Sequence, residues 1–561
     1  MRFLSIHSDK LTVEPQKKAI PQAEEINKKK EEFKECLVVF ISVEKNDENN
    51  VEEISKKCAE EIVDIAKQVK CKKIVLYPYA HLSSNLASPK QALEILKECE
   101  KNLVDKKYDV TRIIFGWYKA FEIKCKGHPL SELSREIKLE NVREKYDPKQ
   151  LLKEVSKTKL DKSKLKDNDH RVVGQAMDLF SFNDVAPGIT FWHANGLIIY
   201  NELVKYKREL YGEYGYKEIS TPQILDSKIW KISGHWEHFN DNLFLTLYEK
   251  RDFAVKPMNC PGAILVYRST NRSYKDLPLR LGEIGIVHRQ ELSGVLAGLF
   301  RVIKITQDDA HIFCMEEQLD DEINKLIGLV NLMYGKFKLD FRAELSTRSE
   351  KAMGDIKTWN KAEKILERVL KKNKINFKIN KGEGAFYGPK IDIHIKDSLN
   401  RSWQMGTIQL DFLMPERFDL VYTNKEGRDE RPIIIHRVIY GSLERFIGIL
   451  LEHYNGHLPL WLTPVQVRVI SFTQENIKYL DNIYEQFKKS GIRVEKDISE
   501  ARMQSKVRDA ALSKIPYIIV VGEKEEKQKT IAVRTKDGKT KYGVKLEGFI
   551  KELIEETSLR K

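Results

Sequence analysis

The chain has 561 residues and a formal net charge of +14, with 41% apolar residues and 32% charged residues of both signs. That length predicts about three to four globular domains, and no apolar run is long enough to span a bilayer. The basic balance favours a polyanionic partner, although lysine-rich surfaces can simply be solvated.

The opening MRFLSIHSD has no basic region followed by a long apolar core, so it reads as a first strand and not as a secretory leader. Residues 36–45 (CLVVFISVEK) and 72–84 (KKIVLYPYAHLSS) are strand-like. Between them, Ile54, Ala59, Ile62, Ile65, Ala66 and Val69 recur at helical spacing. The spacing predicts one α/β domain over 1–142. Near its end, 113–135 mixes aromatic and basic residues. His81, Tyr118, Lys119 and Glu132 are the candidates for chemistry there, against the plain reading of a packed tyrosine, surface charges and a strand-capping histidine. The stretch 143–170 is lysine-dense and reads as a solvated linker. The seven cysteines (36, 58, 71, 99, 125, 260 and 314) form no CxxC pair, which fits a reducing cytosol and small buried apolar roles.

A large α+β domain is expected over 171–463. It opens with a helix near 196–211, followed by a strand over 215–225 (GYKEISTPQIL) that stops at Pro222. HWEHF (235–239) is not the HExxH of zinc proteases. KPMNCPGA (256–263) is a turn-rich loop opening a helix. RLGEIGIVHRQE (280–291) and GLFRVIKITQDDAHIF (298–313) read as two strands around a polar loop, carrying Arg289, Glu291, Arg301, Gln307, Asp309 and His311. Buried, those charges would need partners or a charged ligand; the competing reading is an exposed, solvated hairpin. Helices follow near 316–335 and 359–373, then the glycine loop 382–390, the strands DIHI and SWQMGTIQLDF, and IIIHRVIYGSLERFIGILLEHYNG (433–456). In that last segment Arg445 sits early in an apolar helix, where it is costly unless it meets an anion. The final stretch, 464–561, alternates helices and strands as a separate α/β unit, open to RNA binding, dimerisation or regulation.

The segments around Pro222, Arg289 and Arg445 resemble the three signature motifs of class II aminoacyl-tRNA synthetases. KPMNCPGA, TQDDAHIF and IHRVIYGSLERF resemble the threonyl branch of that class in particular, and the likeness runs over 171–561. YPYAHLSS, GWYKAF and KGHPLSELSR resemble the archaeal editing module related to D-aminoacyl-tRNA deacylases. Met405 departs from bacterial relatives, which often carry cysteine there.

The resemblance implies a multidomain fold: a class II antiparallel sheet core, a deacylase-like N-terminal editing domain and a C-terminal α/β anticodon-binding domain. It implies ATP-dependent charging of tRNA(Thr) with L-threonine in a cytoplasmic homodimer, with segment 215–225 at the interface. By the same resemblance Arg289 meets the α-phosphate, Arg445 the γ-phosphate and Glu291 the adenine edge, with Arg301 assisting and Mg2+ accompanying ATP. Threonine is expected against Gln307, Asp309, Tyr387, Lys390, Gln404 and Gln409. Cys260, His311 and His436 are implied zinc ligands; His311-x-x-Cys314 is a local alternative pair. His81, Tyr118, Lys119 and Glu132 are implied for hydrolytic editing, and Glu525 and Arg534 for anticodon reading. The competing readings are a non-catalytic RNA-binding paralogue and a class II synthetase for serine or proline.

Overall fold

In the computed structural model, the described residues are 1–26, 29–138, 163, 165–397 and 400–560. The expected linker lies, up to residue 162, outside them. The chain divides into two compact units, Met1–Glu154 and Val155–Lys561. Among the described residues, no helix is long and apolar enough to cross a membrane.

The first unit is an α/β fold. Its strands are β1 (Arg2–Lys18), β2 (Glu31–Ser42), β3 (Lys73–Pro78), β4 (Asp109–Arg112), β5 (Trp117–Cys125) and β6 (Glu132–Glu136). They form one sheet in the order β4-β3-β2-β1-β5, with β6 also pairing β1. The apolar run in β2 is buried on both sides, as expected of an interior strand. Leu37, Val39 and Ile41 point to helices α1 (Val51–Gln68) and α2 (Pro89–Asp105), where they pack on Ile54, Cys58, Ile62, Ile95 and Leu103. The alternate residues Val38 and Phe40 join Leu11, Val13, Val75 and Tyr77 on the opposite face.

The second unit is built on an eight-stranded mixed sheet. Its strands are β7 (Lys217–Glu218), β8 (Leu279–His288), β9 (Lys304–Cys314), β10 (Phe341–Ser346), β11 (Phe377–Asn380), β12 (Lys390–Lys396), β13 (Ser402–Asp411) and β14 (Ile433–Val438), in the order β11-β10-β12-β13-β14-β9-β8-β7. One face is covered by α3 (Ala194–Glu213), α5 (Leu319–Lys336), α6 (Ile356–Lys372) and α7 (Leu443–His453), whose Leu203, Leu326, Leu366 and Leu450 share a core with Ile312, Ile408 and Ile435. The two strands of the central hairpin are interior to this sheet, with Asp308 and Asp309 buried, so the solvated-hairpin reading is replaced by the ligand-demanding one.

Residues 215–225 do not form one strand. Pro222 has no N–H, and Thr221 gives its N–H (2.8 Å) and hydroxyl (3.0 Å) to the Glu283 carboxylate. The chain therefore leaves the large sheet after Glu218 and re-enters as Ile224–Asp226 in a three-stranded sheet with Arg251–Val255 and Phe244–Tyr248. The last hundred residues make a five-stranded sheet, β15 (Val467–Ser471), β16 (Val494–Asp497), β17 (Tyr517–Val521), β18 (Ile531–Thr535) and β19 (Thr540–Val544), in the order β16-β15-β17-β18-β19. Helices α8 (Ile477–Lys489), α9 (Met503–Leu512) and α10 (Leu546–Ser558) accompany it.

Candidate active site

Strand register assembles the site. His311 on β9 lies opposite His436 on β14, His436 opposite Gln409 on β13, and Gln409 opposite Lys390 on β12. Adjacent strands lie about 4.8 Å apart, so these four form one row across the sheet. Alternation puts Gln307 and Asp309 on the same face as His311, and Thr407 on the face of Gln409. The row lines a cavity of about 410 Å³ together with Cys260, Arg289, Tyr387, Gln404 and Arg445.

Two arginines at this cavity, Arg289 and Arg445, carry unneutralised charge. Arg289 donates to the Pro257 carbonyl (3.2 Å) and to Met258 Sδ (3.0 Å). Arg445 donates to the carbonyls of Phe300 (2.8 Å) and Gln404 (2.7 Å) and lies 5.4 Å over Trp403. Among the described residues neither has a carboxylate partner. Burial lowers the pKa of both, and neighbouring Arg301 lowers that of Arg445 further. Carbonyls orient a guanidinium without cancelling its charge, so the pocket is prepared for an anion. Arg301 is held by Glu291 at 2.9 Å. Arg445 reaches the site because Gly441, at φ +75°, turns β14 into α7; a Cβ there would meet the Met405 carbonyl at 2.2 Å.

Cys260, His311 and His436 each offer a donor atom, and the three atoms lie within 4.8 Å of one another, all buried. Tetrahedral zinc wants such atoms about 3.4–3.8 Å apart, so a small contraction suffices. Burial keeps His311 neutral well below the usual imidazole range, as a ligand must be. Burial also pushes the Cys260 thiol well up, helped by the charges of Asp309 and Asp411; a divalent cation would reverse that. His436 meets Asp411 at 2.8 Å, an outer carboxylate fixing the ring. The donor set fits zinc. The alternative pair does not form, because His311 and Cys314 are three apart on one strand and face opposite sides, with Cys314 in the helix-side core.

Sequence reasoning passed over Asp392, Ser346, Thr407 and Asn259, which help to hold this face in place. Asp392 gathers Lys390 (2.7 Å), Thr407 (3.1 Å), Ser346 (2.8 Å) and Gln404. Gln409 donates to the Gly388 carbonyl at 2.9 Å. Asn259 donates to Asp309 at 2.9 Å. His235, in HWEHF, is fully buried against Tyr387 and Phe386, with Nδ1 on Ser233 Oγ at 2.7 Å and burial lowering its pKa to about 3. For Asp392, Ser346, Thr407 and Asn259 the only signal was a place in or near the motifs.

In the first unit the four editing candidates do not form one constellation. Lys119 lies 4.9 Å over Tyr77, whose ring neighbours Tyr79, and Tyr79 contacts His81 at 5.1 Å. Tyr118, one residue away on β5, faces the other side and is 62% exposed. Glu132 meets Cys125 Sγ, six residues from Lys119 and about 20 Å along the strand. In the C-terminal part, Glu525 accepts from the Gly522 N–H at 3.1 Å and Arg534 lies on β18 opposite Ile518. Among the described residues no ion pair joins Glu525 to Arg534.

Three family profiles match in chain order: an archaea-specific editing domain of threonyl-tRNA synthetase over 1–137, a tRNA synthetase class II core domain (G, H, P, S and T) over 244–454, and an anticodon binding domain over 466–556. The threonine–tRNA ligase of Desulfatibacillum aliphaticivorans is 51% identical over 389 residues, 69% of this chain and 61% of that one. The chain therefore spans 61% of the length of this curated relative. A crystal structure of the RNA binding domain of threonyl-tRNA synthetase from Cryptosporidium parvum aligns with a TM-score of 0.67 at 39% identity, covering 69% of this chain and 98% of that one. Giardia lamblia prolyl-tRNA synthetase, at 18% identity and a TM-score of 0.57 over 70% of this chain and 79% of that one, shares the fold. The chain belongs to the threonyl-tRNA synthetase family of class II aminoacyl-tRNA synthetases.

Proposed function

We propose that the chain is a threonine–tRNA ligase that activates L-threonine with ATP and Mg2+, transfers it to tRNA(Thr), and hydrolyses mischarged seryl-tRNA in its N-terminal unit. The observation that carries this reading is the row His311, His436, Gln409 and Lys390 opening on a cavity with two unneutralised arginines.

Activation joins the threonine carboxylate to the α-phosphate of ATP, so negative charge grows at phosphorus. Arg289 would hold the α-phosphate and Arg445 the γ-phosphate, while the Glu291–Arg301 pair borders the adenine side. Fixed cations of this kind lower the barrier electrostatically. Gln307, Asp309, Tyr387, Lys390, Gln404 and Gln409 would orient threonine. Cys260, His311 and His436 would hold zinc, which supplies a Lewis-acidic position for the amino and hydroxyl groups of the substrate. Asp309 accepts from the hydroxyl. Valine leaves that carboxylate without its donor and is rejected strongly, whereas serine lacks only a methyl, worth about 1–3 kcal/mol. A hydrolytic second site answers that gap. We assign it to Lys119 and His81 on the aromatic face of the first unit, with Tyr118 and Glu132 standing apart from that pair.

We propose the division 1–142, 143–170, 171–463 and 464–561; the profile spans 1–137, 244–454 and 466–556 fall within its three domains and support it. Glu525 and Arg534 are assigned to the anticodon. A homodimer is supported by apolar side chains beside segment 215–225, with Ile224 55%, Leu245 54% and Leu247 69% exposed. Seven free thiols suit the cytosol.

The test is ATP–pyrophosphate exchange with threonine, serine and valine, with zinc measured in the same sample. Threonine-dependent exchange, weaker serine exchange, none with valine and one zinc per chain would support the reading. No exchange with any of the three by folded protein would refute it.

A further inference from the structure

Asn259 precedes α4 (Cys260–Arg268) and is 2% exposed. Its Nδ2 donates to Asp309 Oδ2 at 2.9 Å and, more weakly, to Gln307 Oε1 at 3.4 Å. Gly285, opposite Gln307 on β8, makes room for it: a Cβ at 285 would lie 2.2 Å from Nδ2. The amide has one workable orientation. Turned over, its Oδ1 would face the Asp309 carboxylate and the Gln307 carbonyl, three acceptors with no proton between them. Held as it is, Oδ1 is buried and, among the described residues, has no donor. Asn259 lines the same cavity as Asp309 and Cys260. A buried carbonyl oxygen without a donor is unfavourable, and the donor that completes it has to arrive with whatever fills the cavity. An amino acid brings N–H donors on its amino group.

We infer that Asn259 is a positioning residue for Asp309, that its carbonyl oxygen accepts a hydrogen bond from the amino-acid substrate, and that Gly285 is the space in which it does so. This rests on the ligase reading above. Asn259 fixes the carboxylate that meets the side-chain hydroxyl, so its loss should blur threonine against valine while leaving threonine against serine, a methyl distinction, unchanged.

The experiment compares the wild-type chain with N259A and G285A by ATP–pyrophosphate exchange with threonine, serine and valine, alongside zinc content and thermal unfolding with and without threonine. G285A alters no polar group and acts only by displacing the amide. The expected result for both variants is a rise of about tenfold in the threonine KM and a fall of about tenfold in the threonine-over-valine ratio. The ATP KM, the threonine-over-serine ratio and one zinc per chain should be retained, with a given threonine concentration raising Tm less than in wild type. Wild-type exchange beside variants with unchanged threonine KM and valine ratio overturns the assignment. So does a parallel rise in ATP KM or loss of zinc, which would mark a general distortion. A wild-type chain without threonine-dependent exchange overturns the ligase reading itself.

Discussion

Lys119 is a charge the fold carries at a loss. It is partly buried on β5 with its Nζ on the Ile114 carbonyl at 3.0 Å and over the Tyr77 ring at 4.9 Å. Among the described residues no carboxylate pairs with it. Burial lowers its pKa from 10.5 to about 8, opposed only by the more distant Glu24. At 1.36 kcal/mol per unit, the ammonium costs the folded state about 3 kcal/mol at neutral pH. Lys119→Met keeps the aliphatic stem and removes the charge; losing the hydrogen bond to Ile114 returns about 1 kcal/mol. The net expectation is a unit about 2 kcal/mol more stable at pH 7. The sign of the pH dependence follows. Below pH 8 both folded and unfolded wild type hold the proton, so the penalty is complete. Between about 8 and 10.5 the unfolded chain binds more protons than the folded one, so wild-type stability rises with pH and the advantage of the variant fades. Hydrogen exchange of β3 and β5 in the full chain, at pH 7 and pH 10, reads both numbers. A variant less stable than wild type at pH 7, or a difference independent of pH, would refute the reasoning. Loss of seryl-tRNA hydrolysis in the stabilised variant would mark Lys119 as a residue kept for chemistry at the expense of stability.

Asp411→Asn should weaken zinc about 10–100-fold by loosening His436, measured by competition with a chromophoric chelator; unchanged affinity would remove Asp411 from the site. Glu322, 2% exposed, receives Arg280 through two bonds of 2.6 Å, so Glu322→Ala should cost about 3–5 kcal/mol in urea unfolding, with a loss below 1 kcal/mol counting against an ion pair that burial makes indispensable. Arg560 lies 4.7 Å over Tyr206 and 5.3 Å over Trp461 and pairs with Glu209; Arg560→Ala should lower stability by about 1–2 kcal/mol, visible as faster exchange in α10, and unaltered exchange would show that the contact contributes nothing.

In the first unit β2 and α1 were legible because β2 is a continuous apolar run and α1 has a clean helical stripe, whereas α2 and the strands β4, β5 and β6 were not read individually. The segment 215–225 misled because its alternation suits a strand, while the Glu283 side chain that takes the Thr221 N–H is 62 residues away. The zinc-type cluster had no local spacing to betray it. Its members come from a helix start and two strands distant in sequence, and only the sheet register makes them neighbours. Tyr118 and Lys119 show the opposite limit. Adjacent in sequence and grouped by family likeness, they are separated by the alternation of a single strand.

That alternation also explains why the site sheet tolerates so much polarity. On β9, Gln307, Asp309 and His311 face the cavity, while Asp308 between them faces the helices. There Asp308 accepts the Ile439 N–H at 3.1 Å and pairs with Arg437 at 3.3 Å. Arg437 is in turn flanked by Tyr211 and Tyr216, with ring centres 4.7 and 4.5 Å away. Two adjacent aspartates thus have different tasks set only by the side they face. A one-residue slip of β9 would exchange them and bring Ile312 to the cavity in place of His311. The slip is opposed from both sides of the sheet: the Asp308 carboxylate matches one backbone N–H and one guanidinium, and Asp309 matches Asn259 on the other face. The buried pair behind the sheet therefore does more for register than for net stability, since its desolvation consumes most of its attraction. The cavity residues on β9 depend on that register for their placement.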